Sequence, residues 1–173
     1  DINWRASTGV ELTRMQDDRK GFVNNRGQVG DLRRDESGEV TNRDVFGLLE
    51  IWPVESTRIY FGSRYTGIKF SVEDYFILGT INPDDSGKKN FSESAIASGI
   101  DYEFADNWLL FANLSEGFET PTLTEMAYNN DNTGLNTDLS ASQQQQSEWG
   151  VLFSTSEWQW KFTQFQIKSE QDI

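Results

Sequence analysis

The ionisable side chains limit the chemistry that this sequence can perform. Its 173 residues include 28 Asp and Glu and 15 Lys and Arg, but no Cys and no His. Thiol nucleophiles, disulfides, imidazole metal ligands and Ser-His-Asp triads are therefore excluded within these residues. The formal net charge of −13 also disfavours nucleic acid as a partner, because phosphate recognition needs clustered Lys and Arg.

Carboxylates are the remaining candidates for catalysis. A glycosidase-type mechanism needs two inward-facing carboxylates about 5 to 9 Å apart in a cleft. The residues that could supply such a pair are Glu50, Glu93, Asp101 and Glu103. Carboxylates are common on the water-facing side of a sheet without any catalytic role, so we expect no enzyme and no catalytic residues.

A calcium loop is the metal site that the sequence most nearly matches. Asn129, Asp131, Thr133 and Gly134 fit the opening of an EF-hand loop, but Ser140 stands where a bidentate Glu is required. We therefore expect no metal site and no cofactor.

Apolar and polar residues alternate along much of the chain, which is the period expected of β-strands with one polar face. The alternation is clearest where Ile96, Ile100 and Tyr102 fall on one face. The pattern predicts an all-β, antiparallel up-and-down meander of about seven strands. Short turns at residues 53–56, 105–107 and 155–157 alternate with long loops at residues 17–41, 70–90 and 117–145.

The last predicted strand changes phase along its length. Trp160 and Phe162 face one way, whereas Phe165 and Ile167 face the other. Either a bulge near Thr163-Gln164 reconciles the two halves, or one half is assigned to the wrong face.

The connections are distributed unevenly between the two ends of the predicted sheet. In an antiparallel meander every second connection lies at the same end, so all short turns fall at one end and all long loops at the other. This asymmetry is typical of outer-membrane barrels, with short periplasmic turns and long extracellular loops. Aromatic residues beside the short turns would then form an interfacial girdle: Trp52, Phe104, Trp108, Trp158 and Trp160.

A soluble β-sandwich binding module, such as an adhesin or a lectin-like domain, is the alternative. Its strands would alternate in the same way, but three loops of about twenty residues or more at one end are uncommon in compact domains. The two folds differ in where the apolar residues lie. A barrel places Ile96, Ile100, Trp149 and Val151 together on its outer side, whereas a sandwich buries them between two sheets.

The segment that leads out of the fifth predicted strand carries a motif. Residues 114–126 read LSEGFETPTLTEM and resemble the S-x-G-F-x-x-P-T-x-x-E segment of TonB-dependent outer-membrane receptors. Residues 134–139 and 147–151 are similar to segments that follow it in that family, and residues 44–52 and 62–65 to two preceding strands. The motif positions in this chain are Gly117, Phe118, Pro121, Thr122, Glu125, Leu139, Glu148 and Gly150.

The motif also has a structural interpretation that does not depend on the family. Gly117 allows the strand to leave the sheet, Pro121 prevents further strand pairing, and Thr122 with Glu125 could cap a short helical turn. On this interpretation the motif residues set the path of the backbone and bind no ligand.

The resemblance implies a fold and a function. Receptors of this family are barrels of about 22 strands with a plug domain in the lumen, so residues 1–173 would be a fragment of the barrel domain, with the plug domain absent. The implied function is energy-coupled uptake of a scarce ligand, most often a ferric siderophore, across the bacterial outer membrane. The implied partners are outer-membrane lipid, a ferric siderophore or similar small ligand, and the energy-coupling protein TonB through the missing plug region.

The resemblance also implies that long loops capture the ligand. Ferric siderophores are often anionic, and Arg and aromatic side chains suit such ligands. The candidates on the long loops are Arg19, Arg26, Arg33, Arg34 and Tyr128. The alternative is that the Arg side chains only neutralise their neighbours on a solvated loop. Those neighbours are Asp17, Asp18, Asp31, Asp35 and Glu36.

Overall fold

The computed structural model describes residues 2–126 and 135–170, which form one antiparallel seven-stranded sheet and one short helix. The strands are adjacent in chain order, so the sheet is an up-and-down meander, as predicted. The elements are β1 (Asn3–Asn25), β2 (Gln28–Val54), β3 (Thr57–Asp74), β4 (Gly87–Ala105), β5 (Trp108–Glu119), α1 (Leu123–Met126), β6 (Ser142–Ser154) and β7 (Gln159–Glu170). Across the described ranges, no helix is long and apolar enough to cross a membrane.

The prediction of a long loop over residues 17–41 is wrong. These residues extend β1 and β2 into one long hairpin that closes at Arg26-Gly27. Both turn residues have positive φ, 54° for Arg26 and 88° for Gly27, as in the type I′ turns whose twist matches that of the flanking strands. Asn24 Oδ1 accepts a hydrogen bond from the Gly27 N–H at 2.8 Å. Both faces of this extension are mostly polar, with scattered apolar residues such as Phe22 and Val29, so the alternation that reveals a strand disappears.

The other connections lie where the sequence predicts them, with different bounds. Residues 75–86 join β3 to β4 and residues 120–141 join β5 to β6, at the end that also carries the Arg26-Gly27 turn. We call this the long-loop end. The opposite end, the turn end, carries the short connections at residues 55–56, 106–107 and 155–158.

The sheet separates an apolar outer face from a polar inner face. The cross-strand register places Ile96, Ile100, Trp149 and Val151 on the outer face, as predicted for a barrel. Ile96 is 41% exposed and Trp149 is 53% exposed, and no second sheet covers them within the part of the chain that the structure describes. The β-sandwich alternative is therefore wrong.

The last strand needs no bulge. β7 pairs with β6 in one continuous register from Gln159 to Glu170. Trp160 and Phe162 therefore lie on the outer face, and Phe165 and Ile167 on the inner face. The phase change in the sequence is a real change of face.

The aromatic girdle is present at the turn end, with one correction. The Trp108 ring lies 6.1 Å from the Phe104 ring and 4.7 Å from the Phe153 ring, centroid to centroid. Trp52 lies on the inner face instead, where the Arg5 guanidinium stands 5.7 Å from its ring. Trp52 therefore makes a cation–π contact and is not part of the girdle.

Candidate ligand site at the long-loop end

The loop at residues 120–141 folds back onto the inner face of β3 and β4. Its apolar side chains form a small buried core with three side chains of the sheet, and the rings of Phe70 and Phe91 meet edge to face at 5.7 Å. The members of this core are Ile68, Phe70, Phe91, Leu123, Met126, Leu135 and Ala141. The loop is thus fixed against the sheet at both of its described ends.

Two glycines allow the loop to approach the strands closely. A Cβ added at Gly38 on β2 would lie 3.0 Å from Leu123 Cδ1, and one added at Gly87 would lie 3.0 Å from Leu135 Cδ1. The missing side chains leave room for the two Leu side chains against the sheet.

The motif residues build the start of this loop. Thr122 N–H donates to Glu125 Oε2 at 2.7 Å, and Glu125 N–H donates to Thr122 Oγ1 at 3.2 Å, which is the predicted capping box at the start of α1. Pro121 is fully buried. The predicted exit of the strand at Gly117 is wrong, because β5 continues in register with β6 as far as Glu119.

The remaining motif residues have packing roles. Phe118 and Leu139 pack against the buried core, and Glu148 lies on the inner face with Lys161 Nζ at 3.7 Å. Gly150 is buried on β6, beneath the Phe111 ring.

Replacing Thr122 with Ala is expected to weaken α1 by about 1 kcal/mol, the usual effect of losing an N-cap side chain. Hydrogen exchange of the amides of residues 123–126 in the intact receptor measures this change. The matched control is Thr122→Ser, which keeps the hydroxyl and should exchange as the wild type does. Equal exchange in the Ala and Ser variants would contradict a capping role.

The same cap should depend on pH. The hydrogen bonds from the Thr122 backbone N–H and hydroxyl hold the pKa of Glu125 below its ordinary value of 4.5. A carboxyl whose pKa is lower in the folded loop stabilises that loop fully above its ordinary pKa, and the stabilisation is lost as the pH falls through the lowered pKa. The protection of the α1 amides, measured as the exchange rate relative to the intrinsic rate at the same pH, should therefore fall in acid, and Glu125→Gln should remove this component of the pH dependence.

A cleft opens on the inner face between the β1–β2 hairpin and the folded-back loop. Its volume is 280 Å³. Its lining includes Asp17, Arg19, Arg33, Arg34, Glu36, Asp74, Asp85, Leu123, Thr124 and Leu135. Three of the five predicted ligand residues therefore share one cavity.

A bulge in the hairpin brings two of these Arg side chains together. The β1–β2 register shifts between Gly21 and Phe22, which leaves Arg33 as the extra residue of β2. A Cβ at Gly21 would meet Arg34 Cβ at 3.1 Å and Arg33 Cγ at 3.7 Å, so both side chains lie over this glycine. Without the bulge, alternation would put them on opposite faces.

The cleft carboxylates hold two of the three Arg side chains. Arg19 Nε lies 2.5 Å from Asp17 Oδ2, and Arg34 Nη2 lies 2.6 Å from Glu36 Oε1. Arg33 has no carboxylate within 4.0 Å among residues 2–126 and 135–170. Local neutralisation, the alternative interpretation from sequence, thus applies to Arg19 and Arg34.

The other two candidates lie elsewhere. Arg26 forms the tip of the β1–β2 hairpin and does not line the cleft. Tyr128 lies outside the described residues.

The inner face also carries an ion-pair network that sequence reasoning missed. Arg58 bridges Glu50 at 3.2 Å and Asp101 at 2.5 Å, and Arg5 reaches Glu50 from β1 at 2.5 Å. A second set joins Arg64 to Asp44 at 2.9 Å and to Glu11 at 2.7 Å. These residues are far apart in sequence, and only the strand register shows that they meet. Glu50 and Asp101, considered above as catalytic carboxylates, are ion-pair partners here.

A membrane-facing apolar band, a polar inner face and loops concentrated at one end define the class of outer-membrane β-barrels. Within that class the chain belongs to the TonB-dependent receptors, since the family model described as TonB dependent receptor-like, beta-barrel, matches residues 1–173. Barrels of this family lie in the bacterial outer membrane.

Solved structures with the same fold are siderophore receptors. The closed form of the ferric-catecholate import receptor Fiu from Escherichia coli K12 matches 98% of this chain at 15% identity, with a TM-score of 0.74. The siderophore receptor PiuA from Acinetobacter baumannii matches 95% at 14% identity, with a TM-score of 0.76. The matched regions are 29% of the Fiu chain and 28% of the PiuA chain, so this chain spans less than a third of either receptor.

Proposed function

We propose that this chain is part of a receptor that imports a scarce ligand across the bacterial outer membrane with energy supplied through TonB, and that the ligand is a ferric siderophore. Membership of the receptor family supports the import role, and the fold shared with two siderophore receptors supports the ligand class. Residues 1–173 supply barrel strands and loops in contact with outer-membrane lipid. The plug domain and its contact with TonB belong to other parts of the receptor.

The observation that carries the ligand proposal is the position of Arg33. Its guanidinium has no carboxylate partner in the described part of the chain, and it lines the same cleft as Arg19 and Arg34. A free guanidinium beside two neutralised ones offers one strong interaction with an anionic ligand. Arg33 is therefore the contact we assign to an anionic ferric complex.

The receptor performs no catalytic step in this proposal. The inner-face carboxylates Glu50 and Asp101 are held by Arg5 and Arg58, which suits a structural role. The ligand passes through unchanged.

Replacing Arg33 with Gln in the full receptor tests the ligand proposal. We expect the affinity for a synthetic ferric tris-catecholate complex, a trianion, to fall about tenfold, because a hydrogen-bonded charge contact is lost. The affinity for a neutral ferric tris-hydroxamate should not change. Equilibrium quenching of receptor fluorescence measures both affinities.

The matched control is Lys168→Gln, which removes one positive charge at the far edge of the sheet. This variant should bind the tris-catecholate as the wild type does. Equal affinities of the Arg33 and Lys168 variants would overturn the assignment of Arg33.

A further inference from the structure

The connection between β3 and β4 carries exposed aliphatic side chains at the long-loop end. Residues 75–82 read YFILGTIN and include no charged side chain, although this end of the sheet is otherwise rich in charge. Ile81 is 87% exposed, and Ile77 and Leu78 are also exposed. We call these three residues the apolar tip. A cluster of large aliphatic side chains in water marks a binding surface, because covering it removes apolar area from water.

Hydrogen bonds within the connection fix the backbone of the apolar tip. The Leu78 N–H donates to the carbonyl oxygen of Asn82 at 2.8 Å, and the Ile81 N–H donates to the carbonyl oxygen of Leu78 at 3.2 Å. Asn82 Nδ2 donates to the carbonyl oxygen of Phe76. Gly79 has a φ of 60°, which glycine adopts without strain. The backbone is therefore preorganised, and little conformational entropy is lost when a ligand covers the tip.

The base of the same connection forms part of the wall of the ligand cleft. Asp74, Asn82 and Asp85 line this cleft. Arg33, the residue assigned above to an anionic ligand, lines it as well. Because Ile81 directly precedes Asn82 in the chain, the apolar tip begins where the cleft wall ends.

The cleft and the apolar tip suit different chemical groups. The cleft is lined by acidic and basic side chains, whereas the tip has no charge. The cleft volume of 280 Å³ lies at the small end of the range for ligand pockets, so the rest of a larger ligand contacts the surface beside it. A ligand that covers both surfaces combines an anionic group with a hydrocarbon group.

We propose that the ligand of this receptor is amphiphilic, with its anionic iron-binding group in the cleft at Arg33 and an attached hydrocarbon chain on the apolar tip. This inference rests on the proposed function, because it assigns a ligand class to the same cleft. Each methylene group removed from water adds to the binding free energy. A short acyl chain is therefore enough to distinguish this ligand from its unacylated parent.

The test uses two synthetic ferric tris-catecholates that differ only in one hexanoyl chain. The full receptor is held in lipid nanodiscs, and empty nanodiscs measure how much of the chain partitions into lipid. We expect the acylated complex to bind the wild type about tenfold more tightly than its parent, because part of the chain leaves water. The double variant Leu78→Ser, Ile81→Ser should bind the two complexes with equal affinity. Quenching of receptor fluorescence measures all four affinities.

The matched control is the double variant Val23→Ser, Val29→Ser, which removes two exposed aliphatic side chains from the β1–β2 hairpin. It should keep the tenfold preference for the acylated complex. Equal affinity of the wild type for both complexes would overturn this inference and leave the proposed function intact. A preference that persists in the Leu78, Ile81 variant would also overturn it. Failure of the wild type to bind either complex would contradict the proposed function itself.

Discussion

Replacing Gly150 with Ala is expected to distort the pairing of β6 with β7. A Cβ at residue 150 would lie 2.3 Å from the carbonyl oxygen of Phe162 and 2.5 Å from Cζ of Phe111. The Phe111 ring can move, but the Phe162 carbonyl belongs to the backbone of β7, which pairs with β6 at this position. Overpacking of this kind costs about 1–3 kcal/mol, and we expect the upper end of that range because the backbone must shift.

Hydrogen exchange of β6 and β7 amides in the full receptor measures the effect. Gly117→Ala is the matched control, because Gly117 is also a motif glycine in a strand and a Cβ there would meet nothing within 4 Å. Neither glycine has positive φ, so backbone strain does not distinguish them. If Gly117→Ala accelerated exchange as much as Gly150→Ala, the packing explanation would fail.

Replacing Met126 with Ala is expected to release the folded-back loop from the sheet. Met126 is fully buried, with 0% of its surface exposed, in the core that Ile68, Phe70 and Phe91 form with the loop. Truncating a buried Met to Ala costs about 2–5 kcal/mol, because transfer energy is lost and a cavity remains. The loop core is small, so we expect local opening rather than unfolding of the barrel.

Limited proteolysis of the full receptor within residues 120–141 measures loop release. Met15→Ala is the matched control, since Met15 is the other methionine of the chain and is 53% exposed on β1. Leu123 and Leu135 line the cleft, so the Met126 variant should also bind the ferric tris-catecholate more weakly. Cleavage at the same rate in both variants would show that the loop is not held by this core.

The strands within the apolar band were predictable from sequence because one face meets hydrocarbon and the other meets water. That contrast produces the alternation seen at Ile96 and Ile100. Beyond the band both faces of the sheet contact water, so the alternation disappears. For this reason the sequence predicts a loop over residues 17–41. The turn signal there is weak, because Arg26 precedes Gly27 where the type I′ turn usually has Asn or Asp.

The candidate site was predictable in its residue types but not in its arrangement. Arg19, Arg33 and Arg34 were identified as ligand candidates, and the structure brings them into one cleft. Their proximity depends on the bulge at Arg33 and on a loop that returns about a hundred residues later in the chain. Neither feature has a local sequence signal.

The inner-face ion pairs were missed for a related reason. Arg5 and Glu50 are 45 residues apart, and they meet only because the β1–β2 register places them opposite each other. A shift of one residue would move every charge to the other face. Charge pairing across strands is therefore a consequence of the strand register and cannot be deduced until that register is known.

A cysteine scan along β5 tests most directly whether the outer face meets lipid and the inner face meets water. These 173 residues contain no Cys, so once any Cys in the rest of the receptor is replaced, single substitutions at residues 109–114 report one position each. With spin labels in lipid vesicles, Leu110, Ala112 and Leu114 should be accessible to oxygen dissolved in the bilayer. Labels at Leu109, Phe111 and Asn113 should respond to a water-soluble relaxation agent, or to neither that agent nor oxygen. Loss of this alternation, or its reversal, would contradict the assignment of the two faces and the outer-membrane barrel with it.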